Sequence, residues 1–266
     1  KLVNEVKAYG KGYTQFIRYT SNGEPMLHKA CLEMIAYAVR HSGVMVTLTT
    51  NGTMLNEAKA EKLLATGIDH IDISIDAHQP ETYAAIRVRG NLTATRKNVL
   101  NLIKQVRQHK RRTKVVVSYI EQERNQSETQ DFERYWREQG ADDVVIRRLH
   151  SCSGAKTSLA QVRREENKAV SRYPCLYPWE RIVLNARGEL AFCPSDWSHG
   201  SIMTDFRKAT IRETWRSEFY QKLRQAHLSD DFSKHKFCGQ CPDWKSTRWP
   251  HQGRVYADMM QDFRTE

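Results

Sequence analysis

The stretch Val44-Met-Val-Thr-Leu-Thr-Thr-Asn-Gly-Thr53 decides the architecture. Its first residues are apolar and β-branched, and Asn51-Gly52 closes it with turn chemistry, so it reads as a strand from Val44 to Thr50 with a polar loop at its C-terminal end. Before it, Leu27 to His41 reads as an amphipathic helix, with Leu32, Ile35, Ala36 and Val39 at helical spacing. After it, Asn56 caps a helix running to Ala65, and Gly67 stops that helix because glycine accepts the left-handed conformation needed there. The alternation extends both ways. Upstream lie a helix over residues 2–9 and a strand from Thr14 to Thr20. Downstream, strands at His70 to Ile75, Lys114 to Ile120 and Asp143 to Leu149 alternate with helices at Pro80 to Arg87, Thr93 to Gln108 and Ser127 to Glu138. Strands separated by helices in this way are repeated βα units, which imply a parallel sheet.

The rhythm fails between Ser151 and Pro174, a small, polar and charged stretch with one predicted helix around Leu159 to Val170. Residues 151–174 therefore read as a linker. Beyond it, Arg181 to Leu184 and Glu189 to Cys193 flank Asn185-Ala-Arg-Gly188 as a hairpin, and a helix from Ile211 to Ala226 precedes a loop-rich end. Apolar runs such as Val115 to Val117 fall far short of the roughly 20 residues that span a bilayer, and Lys1 to Gly10 lacks the apolar region of a secretory signal. No membrane association and a cytoplasmic setting are expected. The net charge is +11, densest over Lys104 to Lys114. That stretch has no interleaved aromatics to stack on bases and closes a predicted helix, so it reads as a solvated helix end, with an acidic partner or substrate as the alternative.

Three predicted strands end in polar loops on one edge: Ser21-Asn-Gly-Glu-Pro25, Thr49-Thr-Asn-Gly-Thr53 and Ser74-Ile-Asp-Ala77. Ligand sites of parallel βα folds lie at that edge. Gly23 lets the backbone approach a ligand closely, and the Glu24 carboxylate suits an ammonium group. Each loop alone is also ordinary turn chemistry; their convergence is the signal.

Six cysteines occur, and Cys175, Cys193, Cys238 and Cys241 crowd the last third. Four thiolates, two from a hairpin region and two from a CxxC turn, form a ligand framework for either a four-iron cluster or a tetrahedral zinc. Cys31 lies in a predicted helix and reads as core. Cys152 follows the last strand at the edge where a substrate would sit.

Gly23-Glu24-Pro25, Thr50-Asn-Gly-Thr53 and Ser74-Ile-Asp76, followed by Pro80-Glu-x-Tyr83 and Ile86-Arg87, resemble the radical S-adenosylmethionine (SAM) superfamily in order and spacing. The resemblance covers residues 1–150 and implies an α/β fold, a partial (β/α)6 TIM-like barrel with a small C-terminal auxiliary-cluster domain. It implies that Ser21, Asn22, Gly23 and Glu24 receive the methionyl ammonium of SAM, that Asn51, Ser74 and Asp76 line the SAM pocket, and that Arg87 pairs with the SAM carboxylate, a surface salt bridge being its alternative. The family usually carries a second glycine where Asn22 stands here. The family's CxxxCxxC loop, which binds the catalytic [4Fe-4S] cluster, has no counterpart in these residues. That cluster is therefore assigned to a missing N-terminal segment, without which the chain is expected to be inactive.

Cys175, Gly188 and Cys193, with Pro178-Trp179 between them and the later CxxC, resemble the SPASM/Twitch extension of the same enzymes. This turns the ligand framework from zinc towards iron and implies a domain over residues 175–266. Because Pro242 to Glu266 contains no cysteine, one [4Fe-4S] auxiliary cluster held by Cys175, Cys193, Cys238 and Cys241 is expected. The implied activity is of oxidoreductase type: a 5′-deoxyadenosyl radical abstracts hydrogen from a peptide, or from a sugar or aminocyclitol, leading to oxidation or epimerisation. A flavodoxin-like electron donor is the implied partner. Cys152 is the candidate hydrogen-atom donor or acid/base group, against an unreactive linker thiol. The competing reading is a catalytically dead barrel with a structural zinc site, acting as a binding module. Nucleic-acid binding rests on charge alone and comes last.

Overall fold

Short β-branched runs alternating with amphipathic helices build a parallel sheet in the first part of the chain. The computed structural model describes residues 1–20 and 22–246. The chain divides after Leu149 into two compact units.

In the first unit, α1 (Leu2–Tyr9) leads into β1 (Phe16–Tyr19), α2 (Cys31–His41), β2 (Met45–Thr50), α3 (Glu57–Ala65) and β3 (His70–Ser74). Then come α4 (Pro80–Ile86), α5 (Leu92–Gln108), β4 (Lys114–Glu121), α6 (Thr129–Glu138) and β5 (Asp143–Arg148). The five strands pair in parallel and in chain order, β1-β2-β3-β4-β5, as in an arc of a TIM-like barrel. Residues 27–41, predicted as one helix, instead open with a 3-10 turn at Pro25–Leu27, and α2 starts only at Cys31. Pro25 sets the helical φ of that turn, and the Glu24 side chain caps it by accepting from the Met26 amide.

Successive strand residues point to opposite faces, and the two faces differ in kind. On one, Val46, Leu48, Ile71, Ile73, Val115, Val117 and Val144 join Ile35, Leu63, Leu102, Phe132 and Trp136 of the helices in a continuous core. Burying each such side chain stabilises by about 1.5–3 kcal/mol. The alternate positions carry Arg18, Thr47, Thr49, His70, Asp72, Ser118 and Arg147. A sheet covered by helices on one side and lined with charge on the other suits a barrel whose interior receives polar ligands.

The second unit contains α7 (Thr157–Asn167), α8 (Tyr177–Glu180) and an antiparallel sheet of β6 (Val183–Leu184), β7 (Glu189–Ala191) and β8 (Ile202–Asp205). It continues with α9 (Ile211–Arg216), α10 (Glu218–Ser229) and α11 (Lys236–Gln240). The hairpin is thus part of a three-stranded sheet. The helix predicted over Ile211 to Ala226 is two helices, broken at Ser217, whose backbone is extended at φ −61, ψ 152. The Ser217 hydroxyl donates to the Thr214 carbonyl that ends α9 and accepts from the Tyr220 amide that begins α10. No helix among the described residues is long and apolar enough to cross a membrane.

Candidate cofactor and cluster sites

At the C-terminal edge of the parallel sheet, Glu24 is bound into the end of β2. Its Oε1 accepts from Thr50 Oγ1 at 2.7 Å and from the Met26 amide at 3.0 Å, while Oε2 accepts from the Asn51 amide at 2.8 Å. A carboxylate offers about four acceptor positions, so the fold fixes the group with three donors and leaves one position on Oε2 for a further donor such as an ammonium. Asn51 Oδ1 accepts from the Thr53 amide at 2.9 Å, shaping the turn. Gly52 suits its place by its φ of +75, and a Cβ there would press on Ile73 Cγ2 at 3.1 Å.

On the next strand, Ser74 and Asp76 come together with Arg87. The Arg87 Nη2 donates to Ser74 Oγ at 2.7 Å and to Asp76 Oδ2. Arg87, expected to meet the SAM carboxylate, is therefore engaged by its own chain, and its partner is a buried carboxylate rather than a surface one. Asp76 sits at φ 66, a left-handed conformation uncommon outside glycine and asparagine. It is held there by the Ile120 amide, which donates to Oδ1 at 2.8 Å, and by Asn125 Nδ2, which donates to its carbonyl at 2.9 Å. Asn125, fully buried, escapes sequence reasoning because Gln122-Glu-Arg-Asn125 looks like any polar turn. Asn22 and Gly23 are exposed, and Ser21 lies outside the described residues.

A second polar group lies deeper on the same face of the sheet. Asp72, wholly buried, accepts from Arg18 Nη2 at 3.0 Å, Arg147 Nη2 at 2.9 Å and Ser118 Oγ at 2.6 Å. Burial alone would push its carboxyl up, but Arg147, Arg18 and Ser118 together hold it below the usual carboxylate range. Sequence reading passes over Arg18 and Asp72 because each is a lone charge within an apolar run.

In the second unit, burial pushes the Cys193 thiol up to about 12 and the Cys241 thiol up to about 11. Cys238 is raised by burial and then by Cys175, Cys193 and Cys241, so the four sulfurs lie within electrostatic reach of one another. Yet among the described residues no group of three or more His, Cys, Asp or Glu side chains could hold a metal ion. Four thiolates are the donor set that a [4Fe-4S] cluster takes, and zinc accepts the same set. Arg172 braces the CxxC turn, donating to the Cys238 carbonyl at 2.7 Å and the Gly239 carbonyl at 3.1 Å while stacking 4.1 Å from the Phe232 ring centre.

Cys152 belongs to this unit. It lies in a turn where Cys152 and Ser153 both have positive φ, 54 and 57. The buried Asp243 carboxylate pins that turn, accepting from the Ser151 amide at 3.0 Å, Ser151 Oγ at 2.8 Å and the Ser153 amide at 2.9 Å. Ser153 Oγ in turn lies 3.4 Å from Cys193 Sγ. Burial raises the Cys152 thiol, with Lys156 pulling against it.

The arc of parallel strands with a polar C-terminal edge is joined in sequence to a small unit that bears four crowded cysteines, the ordering of a βα barrel followed by a thiol-rich domain. The model of the radical SAM superfamily matches residues 1–131, and that of an iron-sulfur cluster-binding domain, SPASM, matches residues 175–242. The chain belongs to the radical SAM superfamily and carries a C-terminal SPASM domain. These domains imply SAM and [4Fe-4S] clusters as cofactors.

A probable GTP 3′,8-cyclase of Methanococcus maripaludis is 34% identical over 99 residues, 37% of this chain and 32% of that protein. A PqqA peptide cyclase of Granulibacter bethesdensis is 34% identical over 85 residues, 32% of this chain and 22% of that protein. The chain thus spans about a third or less of the length of these curated relatives. Among solved structures, SuiB of Streptococcus suis bound to its precursor peptide SuiA superposes with a TM-score of 0.63 at 12% identity, over 98% of this chain and 66% of that one. The likeness is one of fold.

Proposed function

We propose that this protein is a radical SAM enzyme that abstracts hydrogen from a peptide, or from a sugar or aminocyclitol, in an oxidation or epimerisation. The observation that carries the reading is the Glu24 carboxylate, fixed by Thr50, Asn51 and Met26 with an acceptor position remaining on Oε2. When bound, SAM and a reduced [4Fe-4S] cluster supply the 5′-deoxyadenosyl radical. The chain's part is to orient SAM: Glu24, with Ser21, Asn22 and Gly23, takes the ammonium, while Asn51, Ser74 and Asp76 line the pocket. Arg87, paired with Asp76 through one Nη, is the group proposed to meet the SAM carboxylate, with the salt bridge to Asp76 alone as its alternative. Cys175, Cys193, Cys238 and Cys241 hold the auxiliary cluster. A peptide substrate is supported by the PqqA peptide cyclase among the relatives, and an acidic, flavodoxin-like electron donor by the charge of +11.

Full-length protein purified without oxygen is expected to contain iron and sulfide and to form 5′-deoxyadenosine from SAM. Glu24→Gln is expected to weaken SAM binding by about 10-fold or more, since a hydrogen bond to a charged group contributes about 1.5–3 kcal/mol. Zinc in place of iron, with no SAM cleavage, would replace the reading by a binding module. For Cys152, the proposed donor, Cys152→Ala should form 5′-deoxyadenosine but no finished product; full turnover would leave it an inert thiol.

A further inference from the structure

A cation without a counter-charge is packed beside the candidate cluster ligands of the second unit. On α10, Tyr220, Arg224 and His227 fall at i, i+4 and i+7 and share one stripe of the helix. Tyr220 and Leu223 join Cys238 in the buried apolar cluster of this unit, with Cys193 and Trp215 packed against them. The Arg224 guanidinium lies 4.2 Å from the Tyr220 ring centre and 4.4 Å from that of Trp215. Its Nε donates to the Pro178 carbonyl at 2.9 Å and its Nη1 to the Trp215 carbonyl at 3.0 Å, while Nη2 is buried with no hydrogen-bond partner.

Neutral carbonyls and rings hold this guanidinium, and the carboxylates of the neighbouring helices are taken elsewhere. Glu180 on α8 pairs with Arg181, Glu218 on α10 pairs with Lys222, and Glu213 accepts from Thr210 in the cap of α9. Burial pulls the Arg224 guanidinium down, with the Tyr220 phenol opposing. That phenol is itself raised by burial and stays neutral near pH 7, its hydroxyl donating to the Arg181 carbonyl at 3.1 Å. His227 is buried with neither ring nitrogen hydrogen-bonded, and burial, then Arg172 and His235, push it down to about 4. The stripe therefore carries the charge of Arg224 alone. A cation drawn out of water costs free energy unless an anion answers it. A [4Fe-4S] cluster on four thiolates is such an anion, with two negative charges when oxidised and three when reduced by one electron.

We propose that Arg224 is the counter-cation of the auxiliary cluster and holds its reduction potential up. The inference rests on the reading of Cys175, Cys193, Cys238 and Cys241 as the ligands of that cluster. Reduction adds one electron, and one negative charge, to the cluster without uptake of a proton. A fixed cation at its side favours the reduced state, and the low dielectric of a buried site strengthens the effect.

The test is a dithionite titration, followed by electron paramagnetic resonance, of the full-length protein purified without oxygen; the auxiliary signal is the one that Cys238→Ser removes. Arg224→Gln, which deletes the charge and keeps a donor, should lower the equilibrium constant for reduction of that cluster about 10-fold or more, each tenfold being about 59 mV for one electron. Arg224→Lys, which keeps the charge without the fork, should hold the potential near that of the wild type. Where the Gln variant fails to hold auxiliary iron, retention of iron by the Lys variant supports the charge role. Loss of iron from both variants assigns Arg224 to packing alone and overturns the proposal. An unchanged potential in iron-loaded Arg224→Gln, or equal shifts in the two variants, also overturns it and leaves the four-cysteine reading intact. Wild-type protein whose second unit holds zinc, or no metal, sinks that reading and the role of Arg224 together.

Discussion

The two units are stabilised in different ways. The barrel arc has a core running from Val3 on α1 to Val144 on β5 and drawing on every strand. In the second unit the buried apolar cluster is Phe192, Tyr220, Leu223 and Cys238, with Trp215, Phe232 and Phe237 packed against it. One member of that cluster is itself a candidate cluster ligand. A cluster this much smaller than that of the barrel arc leaves more of the folding free energy to other sources, and a bound metal centre is one that small domains use. Hydrophobic periodicity thus specifies the first unit, while on the proposed function ligation completes the second.

The sharpest way to break this comparison is to remove the iron. Chelation, or Cys238→Ser, is expected to abolish amide-exchange protection across residues 175–242 while β2, β3 and β4 keep theirs; hydrogen-exchange mass spectrometry reads both regions at once. Equal loss in both units would show that they fold as one. The converse probe is Trp136→Ala, which empties a fully buried site in the barrel core and should cost about 3–5 kcal/mol in urea unfolding of the first unit. It should leave auxiliary iron content unchanged.

Acid should also act on the first unit. His70 falls from 6.5 to about 4 in the fold, so the folded state favours the neutral ring. Its contribution is complete above pH 6.5 and is lost as pH falls towards 4, up to about 3 kcal/mol at 1.36 kcal/mol per unit. Asp72, lowered by its arginines, has the opposite charge logic: its contribution is present above the ordinary carboxylate range and goes only at lower pH. Unfolding free energies measured across this window should slope, and His70→Gln should flatten the slope; a flat wild-type profile would refute the assignment. The smallest effect is expected at Ser217→Ala, about 1 kcal/mol from the lost cap of α10, seen as faster exchange in its first turn.

The order of strands and helices in the barrel arc was legible because each element there obeys its own period: Val46 and Leu48 alternate, and Ile35 and Ala38 recur at helical spacing. The break at Ser217 was not, because Ile211 to Ala226 contains neither glycine nor proline and the hydroxyl that ends one helix and begins the next looks like any helical serine. β8 was missed because Ile202-Met-Thr-Asp205 is too short to show a period. The loops bearing Glu24, Asn51, Ser74 and Asp76 were visible as motifs, since turn chemistry is local. What binds them to the fold was not: the pairing of Arg87 with Asp76, the Asn125 brace and the arginines on Asp72 link residues distant in sequence, and sequence patterning carries no record of which charges meet.

The Asp243 carboxylate sets a schedule for the nascent chain. It clamps Ser151, 92 residues earlier in the sequence. At roughly 5–20 residues per second, the ribosome delivers the clamp on the order of 5 to 20 s after the Cys152 turn has been made. Through that interval the left-handed pair at Cys152 and Ser153 has no carboxylate to hold it, and the thiol beside it is open to oxidants and to stray metal. Cys241, the last of the four candidate thiols, and the Asp243 carboxylate that pins the Cys152 turn therefore leave the ribosome together.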